Sequence, residues 1–138
     1  MLAIESMEMY LPYILSKNSM KQGSTILVVD DEDMHRLILK RLLEKKGYTV
    51  LDAANGAEGL EVMRTLKVDL AIVDLEMPVM DGLEFTRWVK DITPEFPVII
   101  ITAHAANFSP QDILTANVEA FIQKPIETEE LLRTIEQI

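Results

Sequence analysis

An α/β domain built on a parallel sheet, with helices on both faces, is the fold class this sequence predicts. From Thr25 onward, strand-sized and helix-sized signals alternate five times. The strand candidates are mostly continuous apolar runs rather than apolar-polar alternations, the pattern of strands covered on both sides. Units of this length, joined by right-handed crossovers, leave few packings other than a doubly wound sheet.

The first strand candidate is Thr25–Val29, and the helix after it is read as Met34 to Lys46. That helix carries Met34, Leu37, Ile38 and Leu42 as its apolar stripe and stops at Gly47, a good C-terminal capping residue. Tyr48–Asp52 forms the second strand. The second helix opens at Asn55 with Glu58 three residues on, a capping box with an Asx cap. Leu70–Asp74 is the third strand, and Asp81 with Glu84 repeats the capping pattern at the third helix. Val98–Thr102 is the fourth strand, followed by a short, weakly patterned helix near Pro110 to Ala116. Ala120–Gln123 is the fifth strand, and the last helix turns Leu131, Leu132, Ile135 and Ile138 inward.

A chain of 138 residues, 49% hydrophobic, suffices for one domain with a real core. It is read as a domain over residues 24–138 preceded by an extension over residues 1–23. At the junction of the two, SKNSMKQGS (16–24) has linker composition. Ile4, Met7, Leu11 and Ile14 alternate spacings of three and four, as in a short amphipathic helix, which Pro12 keeps from running long. A tail, an expression remnant and such a helix are all open readings of this stretch.

The net charge is −10, and residues 1–23 hold two acids and two bases, so the excess lies in the domain. A surface that acidic repels nucleic acid and anionic membrane, and direct DNA binding is not expected. There are no cysteines, which excludes disulfide and Cys-zinc frameworks. The start lacks a basic n-region and the longest apolar runs, such as Val98 to Ile101, are strand-sized, so neither a signal peptide nor a membrane span is expected. A cytoplasmic location is the resulting expectation.

In an open parallel sheet the ligand site lies outside the carboxyl ends of the strands. The residues predicted there are Asp30 and Asp31 after the first strand, Asp74 at the end of the third, Thr102 at the end of the fourth and Lys124 after the fifth. Two carboxylates about 4 Å apart repel by roughly 4 kcal/mol at an effective dielectric of 20. A divalent cation relieves that repulsion, and oxygen-only ligands favour Mg2+, with Mn2+ second, over zinc. The same ion neutralises phosphoryl oxygens, and an aspartate is an adequate nucleophile for phosphorus. Asp74, at the centre of the rim, is best placed for that role. Lys124 then supplies positive charge and Thr102 a hydrogen bond to the phosphate.

The segments VVDDED, IVDLEMPVMDG, IITA and FIQKP, with 44, 28 and 22 residues separating Asp30, Asp74, Thr102 and Lys124, resemble the receiver domain of two-component response regulators. The resemblance covers residues 24–138. It implies a flavodoxin-like (βα)5 fold with strand order 2-1-3-4-5, and Mg2+-dependent transfer of a phosphoryl group to Asp74 from a histidine kinase or histidine phosphotransfer protein. It further implies that Asp31 and Asp74 bind the metal directly, Asp30 largely through water, and that the backbone carbonyl of Glu76 is another ligand. Phe121 matches a switch aromatic that turns inward as Thr102 moves toward the phosphate. Lys124-Pro125 matches the place of a cis peptide bond. Glu76 and His104 match positions that influence how fast the acyl phosphate hydrolyses. The face of the fourth helix, fifth strand and fifth helix is where a downstream effector binds. Such a domain is a self-phosphorylating and autodephosphorylating switch rather than a turnover enzyme.

Each residue also has a plainer reading. Asp30 and Asp31 suit a helix N-terminus, Thr102 a β-strand, and Phe121 a buried core. His35 reads as an ordinary helix residue. Two other functions are weighed against the first: a degenerate receiver acting only as a binding module, and a phosphohydrolase of the haloacid dehalogenase type. The second normally carries an Asp two residues after its nucleophile, where this chain has Glu76.

Overall fold

The computed structural model describes residues 20–138. The suggested amphipathic helix on Ile4, Met7, Leu11 and Ile14 lies outside them. Five parallel strands, β1 (Thr25–Val29), β2 (Thr49–Ala53), β3 (Leu70–Asp74), β4 (Val98–Thr102) and β5 (Ala120–Gln123), form one sheet in the order 2-1-3-4-5. The helices are α1 (Asp33–Lys45), α2 (Gly56–Thr65), α3 (Gly82–Ile92), α4 (Pro110–Thr115) and α5 (Thr128–Glu136), with a 3-10 turn at Ala105–Asn107 before α4. This is the predicted flavodoxin-like fold.

Alternate residues of each strand feed two cores, because successive side chains point to opposite faces of the sheet. Leu27, Val29, Val73 and Ile100 pack with Phe85 and Val89 of α3 and Met63 of α2. Ile26, Val28, Ile72 and Ile99 pack with Leu39 and Leu43 of α1 and Leu131 and Ile135 of α5. The central strands β3 and β4 are buried along their whole length, which explains their unbroken apolar sequences. Among the described residues, no helix is long and apolar enough to cross a membrane.

The helix ends follow the predicted chemistry. Asn55 Oδ1 accepts the Glu58 N–H at 2.9 Å and Asp81 Oδ1 accepts the Glu84 N–H at 2.8 Å. At the end of α1, Gly47 takes φ 95°, its N–H donates to the Glu44 carbonyl and the Tyr48 N–H donates to Leu43, a Schellman motif. Two local readings are corrected. β2 is displaced by one residue from Tyr48–Asp52, following its register with β1, where Thr25 faces Thr49. In α1 the core-facing residues are Leu39 and Leu43, with Leu42 at the margin, whereas Met34, Leu37 and Ile38 are exposed. The run LILKRLL contains two apolar pairs at i, i+4, offset by one residue, so periodicity alone does not choose the inward one.

Candidate functional site

The strand order puts β1 beside β3, so the loops leaving these two strands open at the same edge of the sheet and bring Asp30, Asp31 and Asp74 together. One carboxylate oxygen from each lies within 4.8 Å of the others. Asp30 and Asp74 are buried, at 4% and 8% exposure, while Asp31 is exposed. Lys124 reaches in from the end of β5, placing Nζ 3.4 Å from Asp74 Oδ2 and 3.7 Å from Asp30 Oδ2. Its own N–H donates to the Thr102 carbonyl at 2.7 Å, and the Lys124-Pro125 peptide is cis, as the family resemblance implies.

Backbone donors orient the acids. Asp30 Oδ1 accepts from the Glu32 N–H at 2.9 Å, and Asp74 Oδ1 from the Glu76 N–H at 3.3 Å. Gly82 allows α3 to begin against the end of β3. Its N–H donates to the Leu75 carbonyl at 2.9 Å, and a Cβ there would stand 2.5 Å from the Asp74 carbonyl oxygen. Burial pushes the Asp74 carboxyl above its ordinary value, the Lys124 ammonium opposes the rise, and the Asp30 charge adds to it.

Thr102 is fully buried at the end of β4, where its Oγ1 accepts the His104 N–H at 3.0 Å. Glu76 and His104 meet, with His104 Nδ1 3.1 Å from Glu76 Oε1. Phe121 is half-buried in β5, opposite Ile100, against the core on the α2 and α3 side. All the residues predicted for the site therefore lie at the carboxyl end of the sheet, except Phe121, which sits further back on its strand.

Sequence reasoning missed two contributors. His35 Nδ1 lies 3.3 Å from Lys124 Nζ and 3.4 Å from Asp30 Oδ2, so this residue belongs to the site rather than only to its helix. Arg36 Nη1 donates to the Asp30 carbonyl at 2.5 Å, and the same guanidinium pairs with Asp33. The available signal was position, since α1 starts two residues after Asp31 and its first turn faces the same rim.

Three carboxylates with no sulfur or imidazole among them form a hard, all-oxygen donor set, which fits Mg2+ or Mn2+. The buried, mutually repelling pair Asp30 and Asp74 gives such an ion a favourable place to bind.

Comparison with known proteins agrees with this geometry. The family model described as "Response regulator receiver domain" matches residues 26–136. The polar-differentiation response regulator DivK of Brucella anthropi is 33% identical over 113 residues, covering 80% of this chain and 92% of DivK. The transcriptional regulatory protein GlrR of Escherichia coli is 37% identical over 118 residues, covering 86% of this chain but 26% of GlrR. Among solved structures, a response regulator receiver domain protein from Clostridium thermocellum superposes with a TM-score of 0.76 at 32% identity, covering 83% of this chain and 92% of that one. The response regulator protein TrrA from Thermotoga maritima, in complex with Mg(2+)-BeF, also gives 0.76 at 32% identity, covering 83% and 97%. The chain belongs to the response regulator receiver domain family.

Proposed function

We propose that Asp74 accepts a phosphoryl group in an Mg2+-dependent transfer, and that the added charge switches the face formed by α4, β5 and α5. The observation that carries this reading is the convergence of Asp30, Asp31 and Asp74 within 4.8 Å, with Lys124 3.4 Å from Asp74. The donor is the phosphohistidine of a histidine kinase or phosphotransfer protein. An Asp74 carboxylate oxygen forms the new bond to phosphorus, the P–N bond breaks, and its electron pair stays with the leaving imidazole. Asp30, Asp31, Asp74 and the Glu76 backbone carbonyl would hold Mg2+ or Mn2+, which neutralises phosphoryl oxygens when bound. Lys124 offers positive charge to the phosphate and Thr102 a hydroxyl. The Mg(2+)-BeF complex of the similar TrrA supports this choice of ion.

Two surfaces support the partner classes. Met34 and Ile38 of α1 are 63% and 57% exposed, and Ile38 borders an apolar cleft of about 480 Å³ that reaches Asp74 and Lys124. An apolar surface beside the acceptor suits a macromolecular donor docking on α1. At the other end, α4 has six residues and buries none of them, and β5 is an edge strand. Elements with so few buried contacts shift easily. A phosphate carrying roughly −1.5 to −2 charges at Asp74 biases them through Thr102 and Lys124, which changes affinity for an effector. We further read residues 24–138 as the receiver unit and residues 1–23 as an extension to it. The full set of acidic and basic residues favours a working switch over a binding-only domain, and the family assignment displaces the phosphohydrolase alternative.

The test is phosphorylation with acetyl phosphate or a cognate kinase in Mg2+. Wild type is expected to take up acid-stable, base-labile label and Asp74→Asn none. Equal labelling of Asp74→Asn would remove Asp74 as the acceptor.

A further inference from the structure

The ring of His35 stands among Lys124, Asp30 and Glu32. Its Nδ1 lies 3.3 Å from Lys124 Nζ, and its Nε2 lies 3.4 Å from Glu32 Oε2. An ammonium only donates, so in the contact with Lys124 the Nδ1 must be the acceptor. A ring that accepts at Nδ1 carries its proton on Nε2, the side of the ring nearer Glu32, whose Oε2 is 3.4 Å away. The same Nδ1 lies 3.4 Å from Asp30 Oδ2, so the Lys124 ammonium stands between two acceptors, the imidazole nitrogen and the carboxylate, and serves both.

Lys124 faces a conflict. Its ammonium approaches Oδ2 of both Asp74 and Asp30, two of the acids that would hold the metal. A divalent cation and an ammonium compete for the same oxygens, and a lysine drawn fully onto Asp74 would make the acceptor harder to load. Within its reach His35 provides the uncharged acceptor, on the α1 side of the rim, and Lys124 Nζ is closer to it than to either carboxylate.

We infer that His35 is a positioning residue for Lys124: it shares the ammonium with Asp30 and Asp74, and so leaves their carboxylates available to the metal. The inference rests on the proposed Mg2+ site and adds a determinant of its affinity. Because His35 acts here as an acceptor for Lys124, the effect of removing it is one of geometry.

The experiment compares wild type, His35→Ala and His35→Asn, titrating metal-free protein with MgCl2 alone and following Mg2+ binding by calorimetry and the Lys124 side chain by NMR. Asparagine places a carbonyl oxygen close to the position of Nδ1 and keeps an acceptor, whereas alanine does not. His35→Ala is expected to weaken Mg2+ binding about fivefold, in line with losing one hydrogen bond of ordinary net strength. It should also shift the Lys124 ammonium signals in the metal-free protein, and His35→Asn should recover most of both effects. Unchanged Mg2+ affinity in the alanine variant would overturn the inference. So would equal weakening in both variants, which would mark a purely structural role. Failure of the underlying reading would show separately, as wild type that binds no Mg2+ or carries no label on Asp74.

Discussion

His104 and Glu76 meet at 3.1 Å, Nδ1 to Oε1, and thereby link the loop after β4 to the loop after β3 that follows Asp74. Both side chains are substantially exposed, so the contact contributes little to stability. On the proposed reading its consequence would be steric, as a screen against water attacking a phosphoryl group on Asp74. His104→Ala is expected to speed hydrolysis of phosphorylated protein about fivefold, roughly 1 kcal/mol of barrier. The decay of label after removal of the donor measures this, and an unchanged half-life would exclude the shielding role.

A pH effect follows from Asp74. Burial raises its carboxyl above the ordinary 3.8, Lys124 opposes the rise, and Asp30 adds to it. A carboxyl with a higher value in the folded than in the unfolded state binds its proton more tightly when folded. Its ionised form therefore costs stability, beginning as pH rises past 3.8 and in full above the raised value. Asp74→Asn should accordingly stabilise the metal-free protein at neutral pH, and its advantage should shrink in mild acid. Urea melts in EDTA at the two pH values check the sign; a gain that grows on acidification would contradict it.

Metal and stability are linked through the same acids. A ligand that binds only the folded state at about 100 times its Kd adds about 2.7 kcal/mol. Wild type should therefore melt at higher temperature as Mg2+ is added. Asp31→Asn, which alters the exposed carboxylate of the cluster and leaves the core untouched, should lose most of that response. A response of equal size in the variant would place the ion elsewhere.

Val79 lies in the β3–α3 loop at φ 71°, a left-handed conformation that a β-branched residue adopts only under strain, and it is 81% exposed. That conformation costs an L-residue about 1–2 kcal/mol, much less for asparagine. Val79→Asn is expected to stabilise the protein by about 1 kcal/mol, read from denaturant midpoints. No gain would mean that the valine side chain makes compensating contacts.

The order of elements was legible because each strand is a short apolar run and several helix boundaries carry a cap that works locally, as Asn55 and Asp81 do. The rim was legible for a related reason, since strand ends are where an open parallel sheet gathers its chemistry. What was not legible depends on tertiary rotation. Neither the burial of Leu39 and Leu43 over Met34 and Ile38, nor the turning of His35 toward Lys124, follows from periodicity. Both need the helix placed on its sheet, and a run with two competing apolar pairs does not encode that placement by itself.

The absence of a side chain at position 82 has a further meaning for anyone reshaping this protein. Helix and strand abut there at the main chain, so the interval from Glu76 to Met80 can be recomposed while its far end, capped by Asp81, stays pinned. Any substituent at that spot would lever the strand terminus outward and carry Asp74 with it. Transplanting the acids to another scaffold without this bare junction should leave them out of alignment.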